Sequence, residues 1–378
     1  MAIILTEEQQ ELKGLIGSFM EKEVKPRLGE LDKSGEFPVD IYKKAFELGF
    51  HCLAIPEEYG GSGLDHTTMG ILLEEMGYTD PGFAITMLCT ALALECVLIG
   101  GNEEQKKKVC DMIVPGGFGS FCLTEPGNGS DSVAMRTTYR KEGDSYILNG
   151  TKCFVTNGQE ASVFIVFATK DRSLGAKGVS AFIVERGTPG LTVGKHEDKM
   201  GLRLSNTTDV ALEDVKVPAD CLLGEEGKGM HIALAGLDKG RLNNAAIATG
   251  ICRAALDAAV AYAKQRTSFG KPIIRHQAMQ MLLADMAIQT EAAKLMVYSG
   301  MQTLDAGKRA SKEASMAKTF CGDAAVQVTT NAVQVFGGYG YSKEYPVEKM
   351  MRDSKIFQIF EGTNQIQRIV VARELEKA

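Results

Sequence analysis

Ser145-Tyr-Ile-Leu-Asn-Gly-Thr-Lys-Cys-Phe-Val-Thr-Asn-Gly158 decides the fold class of the middle of this chain. Its β-branched and aromatic residues come in short runs, and each run ends at an Asn-Gly pair, the strongest short-range turn signal. The spacing predicts strands over Ser145–Leu148 and Cys153–Thr156, with turns at Asn149-Gly150 and Asn157-Gly158. Working outward, Phe118–Thr124, Met135–Lys141, Ser162–Thr169, Val179–Glu185 and Thr208–Leu212 read as further strands. Short strands at turn-bounded intervals, with no helix between them, predict a compact antiparallel barrel or sandwich.

Both flanks are helical instead. Thr6 and Gln9 form a capping box ahead of Leu12, Ile16 and Phe19, and Pro26 is expected to close that helix. Further helices are predicted near 38–48, 67–77, 82–99 and 103–113, the last capped by Asn102 and Gln105. After Gly227, Lys228–Arg266, Gln277–Ala306, Lys312–Phe336 and a terminal helix near 363–376 predict a bundle. The first of these would span roughly 55 Å at the usual rise, long enough to leave apolar surface for another subunit. The expected fold is therefore multidomain α+β. An all-α domain (1–117) precedes a middle antiparallel β-barrel domain (118–226), and a C-terminal four-helix bundle (227–378) follows.

The 378 residues carry 44% hydrophobic and 24% charged side chains and a formal charge of −6, which excludes a disordered tail protein and gives no basic footprint for nucleic acid. The run Lys106 to Lys108 reads as a solvated helix face. Nine cysteines without a C-x-x-C pair read as buried thiols in a reducing compartment, and five scattered histidines offer no metal-binding spacing. The first residues carry no basic export signal, so a cytoplasmic location is expected. Phe83–Ile99 is apolar but contains Thr86, Thr90 and Glu95, and is expected to be a core helix rather than a membrane span.

The nucleotide and hydrolase signatures G-x-G-x-x-G after a strand, G-x-x-x-x-G-K-[ST] and G-x-S-x-G are absent. Two stretches remain. The first is the Gly-rich turn Phe121-Cys-Leu-Thr-Glu-Pro-Gly-Asn-Gly-Ser-Asp131, whose backbone N–H groups and hydroxyls suit an oxygen-rich ligand or a self-capped turn. The second is Ile356-Phe-Gln-Ile-Phe-Glu-Gly-Thr-Asn-Gln365, which sets the carboxylate of Glu361 among apolar residues just before a helix start. Burial would raise its pKa and the helix N-terminus would lower it, so sequence leaves the sign open.

Together with Lys152-Cys-Phe-Val-Thr-Asn-Gly158, Gln265-Arg-Thr-Ser-Phe-Gly270, Gln334-Val-Phe-Gly-Gly-Tyr-Gly340 and the segment Arg352–Thr363, these stretches resemble the acyl-CoA dehydrogenase family in order and spacing across essentially the whole chain. The resemblance implies an FAD enzyme, a homotetramer that acts on an acyl-CoA and passes electrons to electron-transferring flavoprotein. It implies that Phe121 and Leu123 contact FAD, that the hydroxyls of Thr124 and Thr156 donate to the flavin ring, and that Phe154 packs on the ring where many members have Trp. Ser130 falls near the pyrophosphate groups and substrate. Arg266 and Phe269 match adenosine-side contacts, and Gln334, Gly337, Gly338, Thr363 and Gln365 complete the FAD set, the first three across a subunit boundary. Asp238, Arg241 and Gly362 match substrate-side positions.

Glu361 matches the family's catalytic base, which takes the α-proton while the β-hydrogen leaves as hydride. Some members carry the base just before the Arg that is Arg241 here, but this chain has Gly240 in that place. Leu242-Asn243-Asn244, Ile247, Leu88 and Cys89 depart from short-chain members. Adjacent residues on a helix diverge by about 100°, so at most one Asn is expected to face the acyl pocket. A straight short-chain acyl group is the first expectation, and a branched, cyclic or functionalised one the alternative. Enoyl-CoA reduction, flavin-dependent elimination or oxidase chemistry are further alternatives within enzymes. A redox-inactive acyl-CoA-binding protein is the alternative outside them, which the retained Glu361, Thr124 and Thr156 argue against.

Overall fold

The computed structural model describes residues 4–377. Its first layer is helical: α1 (Glu7–Phe19), α2 (Leu28–Ser34), α3 (Val39–Glu47), α4 (His66–Thr79), α5 (Pro81–Gly100) and α6 (Glu103–Ile113). Thr6 and Gln9 make the reciprocal capping box at 3.1 Å. Pro26 does not end the helical path. A π-turn (Met20–Val24) and a 3₁₀ turn (Lys25–Arg27) carry the chain past it into α2, with Pro26 in the first turn of the 3₁₀ segment, where its missing N–H is not needed. The helix α5 begins at Asp80, whose carboxylate caps Phe83 N at 2.7 Å, and Pro81 takes the first helical position. It is long and apolar enough to cross a membrane, yet most of it is buried inside the fold.

Eight strands follow: β1 (Phe118–Cys122), β2 (Thr138–Glu142), β3 (Ser145–Thr156), β4 (Ala161–Thr169), β5 (Val179–Glu185), β6 (Leu191–Val193), β7 (Thr207–Pro218) and β8 (Leu222–Leu223). They pair in the order β6-β7-β3-β2-β4-β5-β8, with β1 beside β4. Most neighbours are antiparallel as expected, but β1 and β2 each run parallel to β4. The decisive stretch differs from its reading in one respect. Asn149-Gly150 is a bulge inside one continuous strand, not a turn. Gly150 has φ 150°, and a Cβ there would lie 2.5 Å from the Thr137 hydroxyl. Asn149 is occupied across the sheet, its amide bonding Asp214 at 2.8 and 3.0 Å. The second pair does turn, and buried Asn157 donates to the carbonyls of Thr86 and Gly119, which ties the turn to α5 and β1.

The bundle comprises α7 (Gly229–Gln265), α8 (Gln277–Asp305), α9 (Ser311–Phe336) and the terminal helix. Between α7 and α8 lies a minimal hairpin, β9 (Thr267–Ser268) and β10 (Lys271–Pro272). After α9 a short helix, α10 (Val347–Ser354), precedes α11 (Asn364–Glu376). Together with β6 and β8, these short elements were not legible in the sequence. Helices α4 and α7 touch backbone to backbone: a Cβ on Gly77 would reach within 2.5 Å of Ile247 O, and one on Gly250 within 2.2 Å of Glu74 O. Close crossing joins the first helical layer and the bundle in one apolar core that includes Leu72, Met76, Phe83, Ile247 and Ile251. All nine cysteines are unpaired, eight of them buried and Cys89 partly so.

Candidate functional site

A cavity of about 550 Å³ opens where α5, the 121–131 turn, β3, α7 and the loop before α11 meet. The turn supplies Phe121, Leu123, Thr124 and Ser130, and β3 supplies Phe154 and Thr156. The turn is held from beneath. Buried Lys152 donates to Leu123 O at 3.1 Å and to the Glu125 carboxylate at 2.8 Å. Glu125 also accepts from the backbone N–H groups of Arg136 and Thr137, while Cys153 N donates to Thr124 O at 2.9 Å. Burial would raise the Glu125 pKa, but Lys152 and these backbone donors bring it below the ordinary value; burial lowers that of Lys152. Sequence reading missed this pair, although a Lys inside an apolar strand is its signal.

A second irregularity in β3 aims the aromatic. The register against β7 shifts between Lys152 and Val155, and Phe154 takes φ 53°. Its ring stands 69% exposed in the cavity wall instead of joining the sheet core. Among the described residues the hydroxyls of Thr124, Ser130 and Thr156 make no hydrogen bond within the chain.

Glu361 enters from the opposite side. It has φ 56° and is followed by Gly362 at φ 83°, so two consecutive left-handed residues turn the carboxylate into the cavity. Donors from three helices hold the strained loop. Gln367 Nε2 donates to the carbonyls of Glu361 and Gly362 at 3.0 and 3.2 Å, Lys318 Nζ to Gly362 O at 2.8 Å, and Arg241 Nε to Glu361 O at 3.4 Å. Glu361 Oε2 is buried with no partner. Burial pushes the carboxyl up to about 7, although Arg241, Lys318 and Asn244 act in the opposite direction. The sign that sequence left open is therefore upward.

The α7 residues sort themselves around this carboxylate. A Cβ on Gly240 would lie 3.3 Å from Glu361 Oε2, so the position where some relatives place a carboxylate faces the same point in space. Arg241 pairs with Asp238, which in turn accepts from Ser311 at 2.6 Å, and all three line the cavity. Of the two asparagines only Asn244 lines it. That residue is 1% exposed, its Nδ2 donates to Gly240 O at 2.9 Å, and its Oδ1 has no partner. Leu88 and Cys89 are in the wall. Ile247 is instead packed against α4.

The remaining expected residues lie elsewhere. Arg266, Gly337 and Gly338 line a separate surface pocket of about 410 Å³, where the Arg266 guanidinium sits 5.7 Å from the Tyr339 ring centre. Phe269 tops the β9–β10 hairpin at 95% exposure. Gln334 and Gln365 are exposed, and Thr363 caps α11 by accepting from Ile366 N at 3.3 Å.

These residues fit a flavin and a thioester: an open aromatic face, three free hydroxyls, and a buried acceptor oxygen aimed into the same space. The comparisons agree. Family models for the N-terminal, middle and C-terminal domains of acyl-CoA dehydrogenase match residues 6–117, 120–215 and 227–376. The mitochondrial short-chain specific acyl-CoA dehydrogenase of Bos taurus is 45% identical over 380 residues, covering 100% of this chain and 92% of that one. The structure of butyryl-CoA dehydrogenase from Megasphaera elsdenii matches with a TM-score of 0.97 at 44% identity over 100% of both chains. A chain in the solved structure of the electron transferring flavoprotein of Acidaminococcus fermentans matches with the same TM-score at 46% identity, again over 100% of both.

Proposed function

This chain belongs to the acyl-CoA dehydrogenase family of FAD-dependent oxidoreductases, and on that premise we propose that it converts a short-chain acyl-CoA thioester to the 2-enoyl-CoA, with Glu361 as the base. The observation that carries the reading is the unpartnered Glu361 Oε2, buried and facing the cavity that Thr124, Phe154 and Thr156 share. An ionised carboxylate without a hydrogen-bond donor is a strong base for its type, and burial matches its proton affinity to neutral pH. The Cα–H bond breaks toward Oε2, which receives the proton. The developing enolate oxygen needs a donor, and Glu361 N–H, which makes no hydrogen bond within the chain among the described residues, is available beside it. Bound against Phe154, Thr124 and Thr156, FAD supplies the acceptor for the β-hydride. The site closes on the acyl chain through Leu88, Cys89, Leu92 and Leu237, an apolar wall that suits a hydrocarbon acyl group.

Two further parts of the reading rest on different observations. Arg266, Phe269, Gln334, Gly337 and Gly338 lie outside the Glu361 cavity and are solvent-facing, which supports a homotetramer in which they reach the FAD of a neighbouring subunit. The likeness to a chain in the Acidaminococcus fermentans flavoprotein structure supports electron-transferring flavoprotein as the acceptor. The test is anaerobic mixing of the holoenzyme with butyryl-CoA. Flavin absorbance should bleach in the wild type and stay in Glu361→Gln, and bleaching of the variant at near wild-type rate overturns the assignment.

A further inference from the structure

One buried titratable group near the cavity has no part in the chemistry above. Lys318, on α9, is 2% exposed. Its Nζ donates to Gly362 O at 2.8 Å and to Asn364 Oδ1 at 2.9 Å, both neutral acceptors. Among the described residues no carboxylate oxygen lies within 4 Å of it. Asn364 is itself anchored, donating to Thr319 O at 3.1 Å and to Asp323 Oδ1 at 2.8 Å, so the ammonium cannot drift away from the loop that carries Glu361. A buried cation normally has a carboxylate in contact, because desolvation otherwise costs several kcal/mol.

The charged groups that face Lys318 come from each packed element. Glu361 on the loop favours its protonated form, Arg241 on α7 opposes it, and Asp323 on its own helix favours it. α11 presents the neutral Asn364. Arg241 already has a carboxylate in Asp238, and Asp323 has Arg368. The charge left over to balance Lys318 is that of Glu361. We propose that Lys318 is a positioning residue for the base: it pins the Gly362 carbonyl, so that Glu361 keeps its left-handed backbone, and it is the buried counter-charge that keeps the Glu361 carboxylate ionised.

The proposal rests on Glu361 being the base, and it makes the pair act together. Burial brings Lys318 down to about 8, just above the value of about 7 for Glu361. Activity needs Glu361 ionised, so kcat/KM for the holoenzyme should rise through about pH 7; above pH 8 Lys318 loses its charge while Glu361 stays ionised, so the counter-charge shows in where the acid side falls.

Two readouts test it: the pH profile of kcat/KM with butyryl-CoA and an artificial electron acceptor, and an infrared titration in which the Glu361→Gln difference isolates the Glu361 carboxyl band. Lys318→Met should move the Glu361 titration upward by about one pH unit, leaving roughly tenfold less ionised base on the acid side. Lys318→Arg, which keeps the positive charge, should hold the acid side in place. A carboxyl band in Lys318→Met that titrates as in the wild type overturns the proposal. If that variant does not fold, Lys318→Arg decides alone, and a Glu361 band that moves upward although the charge at 318 is kept overturns it. Flavin reduction that survives Glu361→Gln would instead sink the base assignment, while the infrared band still reports whether Lys318 sets the charge on Glu361.

Discussion

Glu361 in its cavity and Phe269 on the hairpin next to Arg266 both take the left-handed region, and the chain treats them in opposite ways. Glu361, at φ 56°, is fixed by Arg241, Lys318 and Gln367 from three helices. Phe269, at φ 48°, forms with Gly270 at φ 76° the two positive-φ corner of a hairpin whose strands are two residues long, and its ring has little beyond an edge contact with His276 at 5.9 Å. A left-handed residue costs of order 1–3 kcal/mol. In the first region a network inside the chain offsets that cost, as expected of a site complete in itself. In the second almost nothing in the chain does, as expected of half a site that another subunit completes.

Substitutions in the two regions should therefore separate cleanly. The largest effect belongs to Glu361→Gln, which keeps size and hydrogen bonds but removes the basic lone pair. Flavin reduction by butyryl-CoA should slow by about 10² to 10⁴ or more, with FAD content unchanged. Next is Lys152→Met, which leaves Glu125 charged and buried under the Thr124 turn. Loss of one partner of such a pair costs about 3–5 kcal/mol, so the chemical denaturation midpoint should fall markedly and FAD should be held more weakly. An unchanged midpoint would show that the turn does not depend on the pair. On the other side of the comparison, Phe269→Ser should leave the melting temperature of the FAD-free protein unaltered and raise the rate of FAD loss on dilution by about tenfold. Equal FAD retention by that variant would remove the reason for treating the hairpin as half of a site.

What sequence revealed divides along similar physical lines. Periodicity exposed the long elements, since a buried face repeats over many residues: α5, α7, α8 and α9 lie where the spacing puts them. Local chemistry was ambiguous where one signal serves two structures. Asn149-Gly150 reads as a turn, but the same freedom of Gly150 serves a bulge when Thr137 crowds the strand from the side. Pro26 reads as a stop, but a proline in the first turn of a new segment interrupts nothing. Five collinear motifs pointed to Glu361, Thr124 and Phe154, whereas the charges that govern them were hidden. Lys152 and Lys318 look like ordinary polar residues in a strand and a helix, and their roles arise from partners 27 and 44 residues away. Likewise, no spacing rule could choose between Asn243 and Asn244, because the choice depends on the roll of α7 against the Glu361 loop.

The smallest expected effect turns the comparison into a statement about stability. Burial raises the Glu361 carboxyl from 4.5 to about 7 in the folded protein. Because its folded value lies above its unfolded value, folding takes up a proton between roughly pH 4.5 and pH 7, and stability falls as pH rises through that window. Below it both states are protonated and the burial has no electrostatic cost; above it both are ionised and the cost is at its full size. Gln has no proton to exchange, so Glu361→Gln behaves like the protonated residue at every pH. The variant holoenzyme should melt together with the wild type near pH 4.5 and about 2–4 °C above it at pH 7.5. The difference between Phe269→Ser and the wild type should be the same at both pH values, because the exposed hairpin carries no buried charge. Melting curves of the three proteins, taken at both pH values with excess FAD, make the measurement. Should Glu361→Gln gain nothing at pH 7.5, the carboxylate is not buried at an electrostatic cost, and the contrast between a site held against its own strain and one left open to a partner loses its energetic half.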